Sequence, residues 1–270
     1  MTQLFATDLD GTLLNSFGEV STENLAAIDL AKNSGLSVVF VTGRPPRWME
    51  EIKQITAHHG HAICANGALV LDVETGEIIR ADFLNPELAA EVVTALRQLD
   101  SEMAFAVEVI DEQAPFLMDD NYRPRWETPR QVPRVSVAEM LARENVVKLL
   151  ARPRMLTDLD AIGFVAAAQS AVGHLVDLTN SNSADVMLEV SPAGVNKGTA
   201  LARFASDLSI PQASVAAVGD MPNDIEMIKW AGLGAAVDNA HEQVKAVADL
   251  HLPSNDEHAV AVFINQILHS

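Results

Sequence analysis

Asp8 and Asp10 stand two apart at the end of the apolar run Gln3 to Leu9, in the segment Asp8-Leu9-Asp10-Gly11-Thr12. Two anions at the end of a buried strand are costly unless a cation or a proton accompanies them. Asp220 and Asp224 repeat the situation after the run Ser214 to Val218, in Gly219-Asp220-Met221-Pro222-Asn223-Asp224. If both strands lie in one parallel sheet, the four acids converge on one edge. Oxygen donors of this kind suit a hard cation. Zn²⁺ is disfavoured, because the chain has a single cysteine and no histidine pair with helix-face spacing flanks a base. Mg²⁺ fits best, since it accepts a few carboxylates together with phosphate oxygens and water.

Other residues point to phosphate. Thr42-Gly43-Arg44 offers a hydroxyl and backbone N–H groups near a helix start, and Gly11-Thr12 offers a similar backbone approach beside Asp8. Lys197 opens a helix after Pro192-Ala193-Gly194 and suits a point-charge clamp on phosphoryl oxygens. His58-His59-Gly60-His61 reads as loop or surface histidines rather than a metal tract. Cys64 lies in an apolar run and reads as a small buried hydrophobe.

The elements that must position these residues follow from hydrophobic patterning. Gln3 to Leu9 reads as a buried strand. Ser21-Thr22-Glu23-Asn24 caps a helix to about Ser34, which Gly35 stops. Leu36 to Val41 is a second strand, a helix follows to about Thr56, and Gly60 to Ala65 is a third strand. This rhythm predicts a parallel sheet with helices on its faces and ligands at the carboxyl ends of its strands. The pattern changes near Asn85-Pro86. A helix over Pro86 to Leu99, strands over Phe105 to Ile110 and Asn145 to Ala151, a helix over Arg154 to Ser170, and strands over Val172 to Leu178 and Asp185 to Val190 predict an α+β domain. The earlier rhythm then resumes. Helices are expected over Lys197 to Leu208, Pro222 to Trp230, His241 to Ala246 and Glu257 to Leu268, with strands over Ser214 to Val218 and Gly234 to Val237. The expected organisation is an α/β core from residues 1–83 and 191–270, with residues 84–190 inserted.

With 49% hydrophobic residues among 270, a sizeable core is expected. A formal charge of −19 argues against a nucleic-acid backbone or an anionic membrane surface as partner. It does not exclude an anionic small molecule, because a bound cation inverts the local potential. No basic and apolar leader opens the chain, no run approaches the length of a membrane span, and the lone cysteine suits a reducing compartment, so a cytoplasmic location is the default expectation. Basic residues of the inserted stretch crowd between Arg123 and Arg154. They read as a solvated surface somewhat better than as a positive cover over the substrate, with Arg123, Arg125, Arg130 and Arg134 as candidates for the latter.

The segments Asp8-Leu9-Asp10-Gly11-Thr12, Val41-Thr42-Gly43-Arg44, Asn66-Gly67-Ala68, Asn196-Lys197-Gly198 and Gly219-Asp220-Met221-Pro222-Asn223-Asp224, in this order and spacing, resemble the haloacid dehalogenase-like superfamily over essentially the whole chain. Within it they resemble the Cof-type phosphatases with a large inserted α/β cap (type C2, subfamily IIB). The resemblance implies a Rossmann-like parallel-sheet core and a Mg²⁺-dependent phosphohydrolase acting on a small phosphorylated metabolite such as a sugar phosphate. By resemblance Asp8 is the nucleophile and Asp10 the general acid/base. Thr42 and Lys197 hold the phosphoryl group, with Gly11, Gly43 and Asn223 beside it. The side chains of Asp8 and Asp220 and the main-chain carbonyl of Asp10 hold Mg²⁺, with Asp224 in support. Asn66 and Gly67 form the turn facing the site. For Arg44 two roles stay open, reaching the leaving group or capping its turn. The motifs leave phosphomutase or phosphotransferase chemistry as an alternative. A non-catalytic sensor is disfavoured by the intact acids and lysine. Monomer and homodimer are both open. The chain departs from the family near its C-terminus, where His258-Ala259 occupies a segment that often carries glycine.

Overall fold

The computed structural model describes residues 1–56, 60–124, 132–154, 158–180 and 186–269. In chain order the first part comprises β1 (Leu4–Asp8), α1 (Thr22–Asn33), β2 (Ser37–Val41), α2 (Met49–Ile55), β3 (His61–Cys64), β4 (Leu69–Asp72) and β5 (Ile78–Ala81). There follow α3 (Pro86–Leu99), β6 (Ala104–Val109), β7 (Phe116–Met118), α4 (Val137–Leu141), β8 (Val146–Arg152), α5 (Asp158–Val172), β9 (Asp177–Thr179) and β10 (Leu188–Ser191). The last part comprises α6 (Lys197–Asp207), β11 (Val215–Gly219), α7 (Ile225–Trp230), β12 (Leu233–Ala236), α8 (Glu242–Lys245), β13 (Leu250–His251) and α9 (Ala259–Leu268).

These elements form two compact units. One holds Met1–Arg44, Trp48–Arg80 and Asn196–Ser270; the other holds Pro45–Arg47 and Ala81–Val195. The first contains an eight-stranded sheet in the order β13-β12-β11-β1-β2-β3-β4-β5. Strands β13 through β3 in that order are parallel, and β4 turns back antiparallel on β3. Every residue of β1 is buried, which is why the strand reads as an unbroken apolar run rather than an alternating one. Leu4 and Ala6 face a layer containing Leu201, Phe204, Ala205 and Met227, whereas Phe5 meets the ring of Phe263 on α9 edge-on at 5.7 Å. Asp8 lies opposite Val41 of β2, and Thr7 opposite Val218 of β11. That register brings the residues following β1, β2 and β11 to one edge of the sheet.

The second unit carries a five-stranded sheet in the order β7-β6-β8-β10-β9, with every pair antiparallel. One face buries Phe105, Val107, Leu149 and Leu188 against Val92, Val93 and Leu96 of α3 and Ala168 and Val172 of α5. The other face carries Ala104, Ala106, Leu150 and Tyr122, and also buried charge. Arg47 donates Nε and a terminal nitrogen to Glu108 at 2.8 and 2.9 Å, and Lys148 pairs with Glu189 at 2.5 Å. Burial nevertheless holds the Glu108 carboxyl above its usual range.

Several boundaries differ from the sequence-based expectation. The strand expected over Val172 to Leu178 is confined to Asp177–Thr179, because Val172 and Val176 serve the core between α5 and the sheet and Gly173 closes the helix on the Gln169 carbonyl. The hairpin of β4 and β5 is an addition to the expected strands. Its turn is built by Asp72, whose carboxylate accepts the Thr75 N–H at 2.8 Å. The helix expected from Glu257 begins at Ala259, after a separate 3₁₀ turn over Asn255–Glu257. His258 separates the two in the left-handed region at φ 60°, a conformation that explains why glycine suits this place. His58, His59, Arg125, Arg130 and Asp185 lie outside the described residues. His61 is on β3 with its ring 5.1 Å from that of Phe204, and Cys64 is buried. The guanidiniums of Arg123 and Arg134 bond main-chain carbonyls, those of Asp120 and Tyr122 and that of Asp119 respectively.

Candidate active site

The chain leaves β1 through a wide turn, Leu9–Leu13, closed by Leu14 N–H on the Leu9 carbonyl at 2.9 Å. Asp10 (φ −77°, ψ 115°) and Gly11 (φ 81°, ψ 0°) break helical geometry within it. Gly11 is required twice over, by its positive φ and because a Cβ there would stand 2.5 Å from Oδ2 of Asp220. The turn separates the two acids. Asp8 is buried on the strand, while the Asp10 side chain reaches the surface and is 57% exposed.

Asp8, Asp220 and Asp224 come together, each offering a carboxylate oxygen within 4.8 Å of the others. Lys197 Nζ lies 2.6 Å from Asp8 Oδ1 and 2.5 Å from Asp224 Oδ1. It is placed by the first turn of α6, where Asn196 and Thr199 cap each other's backbone N–H. The second Asp224 oxygen accepts the N–H groups of Asp220 and Met221, and Thr12 Oγ1 donates to Asp220 Oδ1 at 2.9 Å. Thr12 closes the Asp-x-Asp-Gly-Thr run, and the task of its side chain is visible only in the structure.

Three carboxylates against one ammonium leave the pocket short of positive charge. Burial foremost, then the other carboxylates, hold Asp8 well above the usual range against the pull of Lys197. The same causes push Asp220 up to about 7, opposed by the Thr12 hydroxyl and Lys197. Burial works against charge on Lys197, but Asp224 and Asp8 outweigh it and keep the ammonium protonated. A hard divalent cation would fit this oxygen cluster and would supply the missing charge. The Asp10 carboxylate is not part of it.

Asp10 is instead gripped by Arg44, which donates Nε and a terminal nitrogen to its two oxygens at 2.8 and 2.6 Å. The same guanidinium reaches Glu51 at 2.9 Å and lies 5.5 Å from the Trp48 ring centroid. Neither role left open for Arg44 describes this contact. Thr42 is buried, and its Oγ1 accepts the Arg44 N–H at 3.0 Å. Beyond it Ala65 and Asn66 both take positive φ, 51° and 57°, ahead of Gly67. Ala65 N–H bonds the Arg44 carbonyl and Asn66 N–H the Thr42 carbonyl, so the turn after β3 is tied to the turn after β2. Asn223 Nδ2 donates to Asn66 Oδ1 at 3.1 Å, and a Cβ on Gly43 would come within 2.9 Å of that oxygen.

This fold and this cluster define a class. The model of the haloacid dehalogenase-like hydrolases matches residues 5–264, and the chain belongs to that family. Relatives named as phosphatases are among those it resembles. The chain is 31% identical to the phosphatase YwpJ of Bacillus subtilis, covering 98% of this chain and all of the relative. It is 30% identical to the 5-amino-6-(5-phospho-D-ribitylamino)uracil phosphatase YwtE of the same organism, covering 97% of each. Among solved structures, a haloacid dehalogenase-like hydrolase from B. subtilis superposes with a TM-score of 0.80 at 27% identity, over 98% of this chain and all of that one. Among the described residues, no helix is long and apolar enough to cross a membrane.

Proposed function

We propose that this chain is a Mg²⁺-dependent phosphomonoester hydrolase that works through an aspartyl-phosphate on Asp8 and acts on a small phosphorylated metabolite such as a sugar phosphate. The observation that carries the reading is the buried Asp8 carboxylate, bonded to Lys197 at 2.6 Å within a three-carboxylate cluster, with Asp10 two residues away on the exposed side. Asp8 and Asp220, with the Asp10 carbonyl, are the groups to hold Mg²⁺, and Asp224 orders Lys197 and the loop around Asp220. When bound, the cation offsets repulsion between Asp8 and the phosphate dianion and stabilises charge on the phosphoryl oxygens.

In the first step an Asp8 oxygen attacks phosphorus as the bond to the leaving alcohol breaks, and Asp10 gives that alcohol a proton. Lys197, Thr42 and the N–H groups near Gly11 and Gly43 hold the phosphoryl oxygens, with Asn223 beside them. In the second step Asp10 takes a proton from water, the water oxygen attacks phosphorus, and the bond to Asp8 breaks to release inorganic phosphate. Arg44 donates one hydrogen bond to each Asp10 oxygen, which leaves each oxygen a further lone pair for the substrate or water. YwtE, by its name, acts on a phosphorylated ribityl compound, which supports a small polyhydroxylated ester as the substrate class. A cytoplasmic site of action rests on the lone buried cysteine and the absence of any apolar run long enough to span a membrane.

Phosphate release from a panel of phosphorylated metabolites with Mg²⁺ tests the reading. Asp8→Asn should abolish turnover with the fold retained, and a turning-over purified D8N enzyme removes Asp8 as nucleophile. Adding sugar acceptors to the same assay reveals transferase chemistry as phosphorylated acceptor in place of free phosphate.

A further inference from the structure

Three main-chain carbonyls of the turn bearing Asp10 receive hydrogen bonds from asparagine side chains. Asn239 Nδ2 donates to the Gly11 carbonyl at 2.8 Å, Asn24 Nδ2 to that of Leu13 at 3.2 Å, and Asn255 Nδ2 to that of Leu14 at 2.8 Å. The first two amides are oriented by their other ends. Asn239 Oδ1 accepts the Asn255 N–H at 2.9 Å, and Asn24 Oδ1 accepts the Ala261 N–H at 2.9 Å. Turned over, either amide would set carbonyl against carbonyl and N–H against N–H. Asn24 and Asn255 are buried, so they double as packing residues; Asn239 is exposed.

Asn239 stands in the turn after β12, the neighbour of β11, whose end leads into Asp220. The same turn bonds the Asp220 carbonyl through the N–H of His241 at 2.8 Å. It therefore holds the backbone of both acidic segments. Gly11 adjoins Asp10 and has the freest backbone in that segment. Its carbonyl is fixed by Asn239, and rotation about Gly11 would swing Asp10 away from its place.

We propose that Asn239 is a positioning residue for Asp10, acting through the Gly11 carbonyl. The proposal rests on the hydrolase reading with Asp10 as proton donor. A positioned donor matters most when the departing alcohol is a poor leaving group, so losing Asn239 should hurt alkyl phosphates more than p-nitrophenyl phosphate. A misplacement of about 1 Å lowers rates on the order of 100-fold. Asn239→Ala should therefore reduce kcat/KM for glycerol phosphate by roughly 10- to 100-fold, with a clearly smaller loss for p-nitrophenyl phosphate. Asn239→Asp keeps the shape but turns an acceptor towards the Gly11 carbonyl, and should shift the ratio of the two substrates the same way. The ratio does not depend on the fraction of enzyme that is folded, so a partly unfolded variant still reports. A ratio unchanged from the parent in both variants overturns the proposal. Asp8→Asn run alongside separates the two levels: turnover by D8N overturns the hydrolase reading, whereas an inert D8N with an unchanged ratio in N239A and N239D overturns only the role of Asn239.

Discussion

At the scale of single residues, the pocket's shortage of positive charge makes a pH-dependent prediction. Asp8 and Asp220 are held above the ordinary carboxylate range, Asp220 at about 7. Without a cation, the folded chain binds these protons more tightly than the unfolded chain does. The stability they contribute is full below the ordinary carboxylate range and is lost as pH rises through about 7. On the proposed reading Mg²⁺ would take the place of those protons, so its stabilising effect should grow as pH rises. The difference in thermal midpoint between excess Mg²⁺ and chelator should be larger on the alkaline side of Asp220's value than well below it. A difference independent of pH would place the cation away from Asp8 and Asp220.

At the scale of elements, the strands that deliver the acids were legible because burial on both faces writes them as continuous apolar runs, as in Leu4 to Ala6 and Val215 to Val218. Which acids share an oxygen cluster was less legible. Asp10 and Asp8 look alike two residues apart, and only the turn over Leu9–Leu13 sends one outwards to Arg44. That pairing follows from the register of Asp8 with Val41, a long-range property that local patterning does not carry. The ion pairs of the second sheet escaped for the same reason. Lys148 and Glu189 sit inside apolar runs, and their partnership depends on β8 and β10 being neighbours. Lys148→Met removes the ammonium bonded to buried Glu189 and should destabilise, by up to about 3–5 kcal/mol. Replacing both with apolar residues should recover most of that loss. Chemical denaturation of the two variants checks the prediction, and equal losses would mean that the pair is not coupled.

At the scale of the whole molecule, the two units are not cleanly separated along the chain. Pro45–Arg47 belongs with Ala81–Val195, and Arg47 is the partner of buried Glu108. A fragment of residues 81–195 retains its own apolar core but lacks this guanidinium. Such a fragment should fold with reduced stability near neutral pH, where buried Glu108 loses its hydrogen-bonded guanidinium and keeps Lys148 as a neighbouring cation. Glu108→Gln should stabilise the fragment, while in the full chain it removes a partner from Arg47 and should destabilise. Thermal unfolding of the four proteins, followed by circular dichroism, reads both signs. The same direction in both contexts would show that Arg47 does not support Glu108.

The order β13-β12-β11-β1-β2 has a consequence for how the enzyme is made. Leu4 pairs with Val215, so the first strand leaves the ribosome long before one of its two neighbours exists. The five-stranded sheet is complete by Ser191, whereas β1 waits beside β2 with one edge open. An open strand edge invites other chains, so stalled or truncated products should aggregate. On the proposed mechanism, products that end before Lys197 would also be inert, because Asp8 would lack both Lys197 and Asp220.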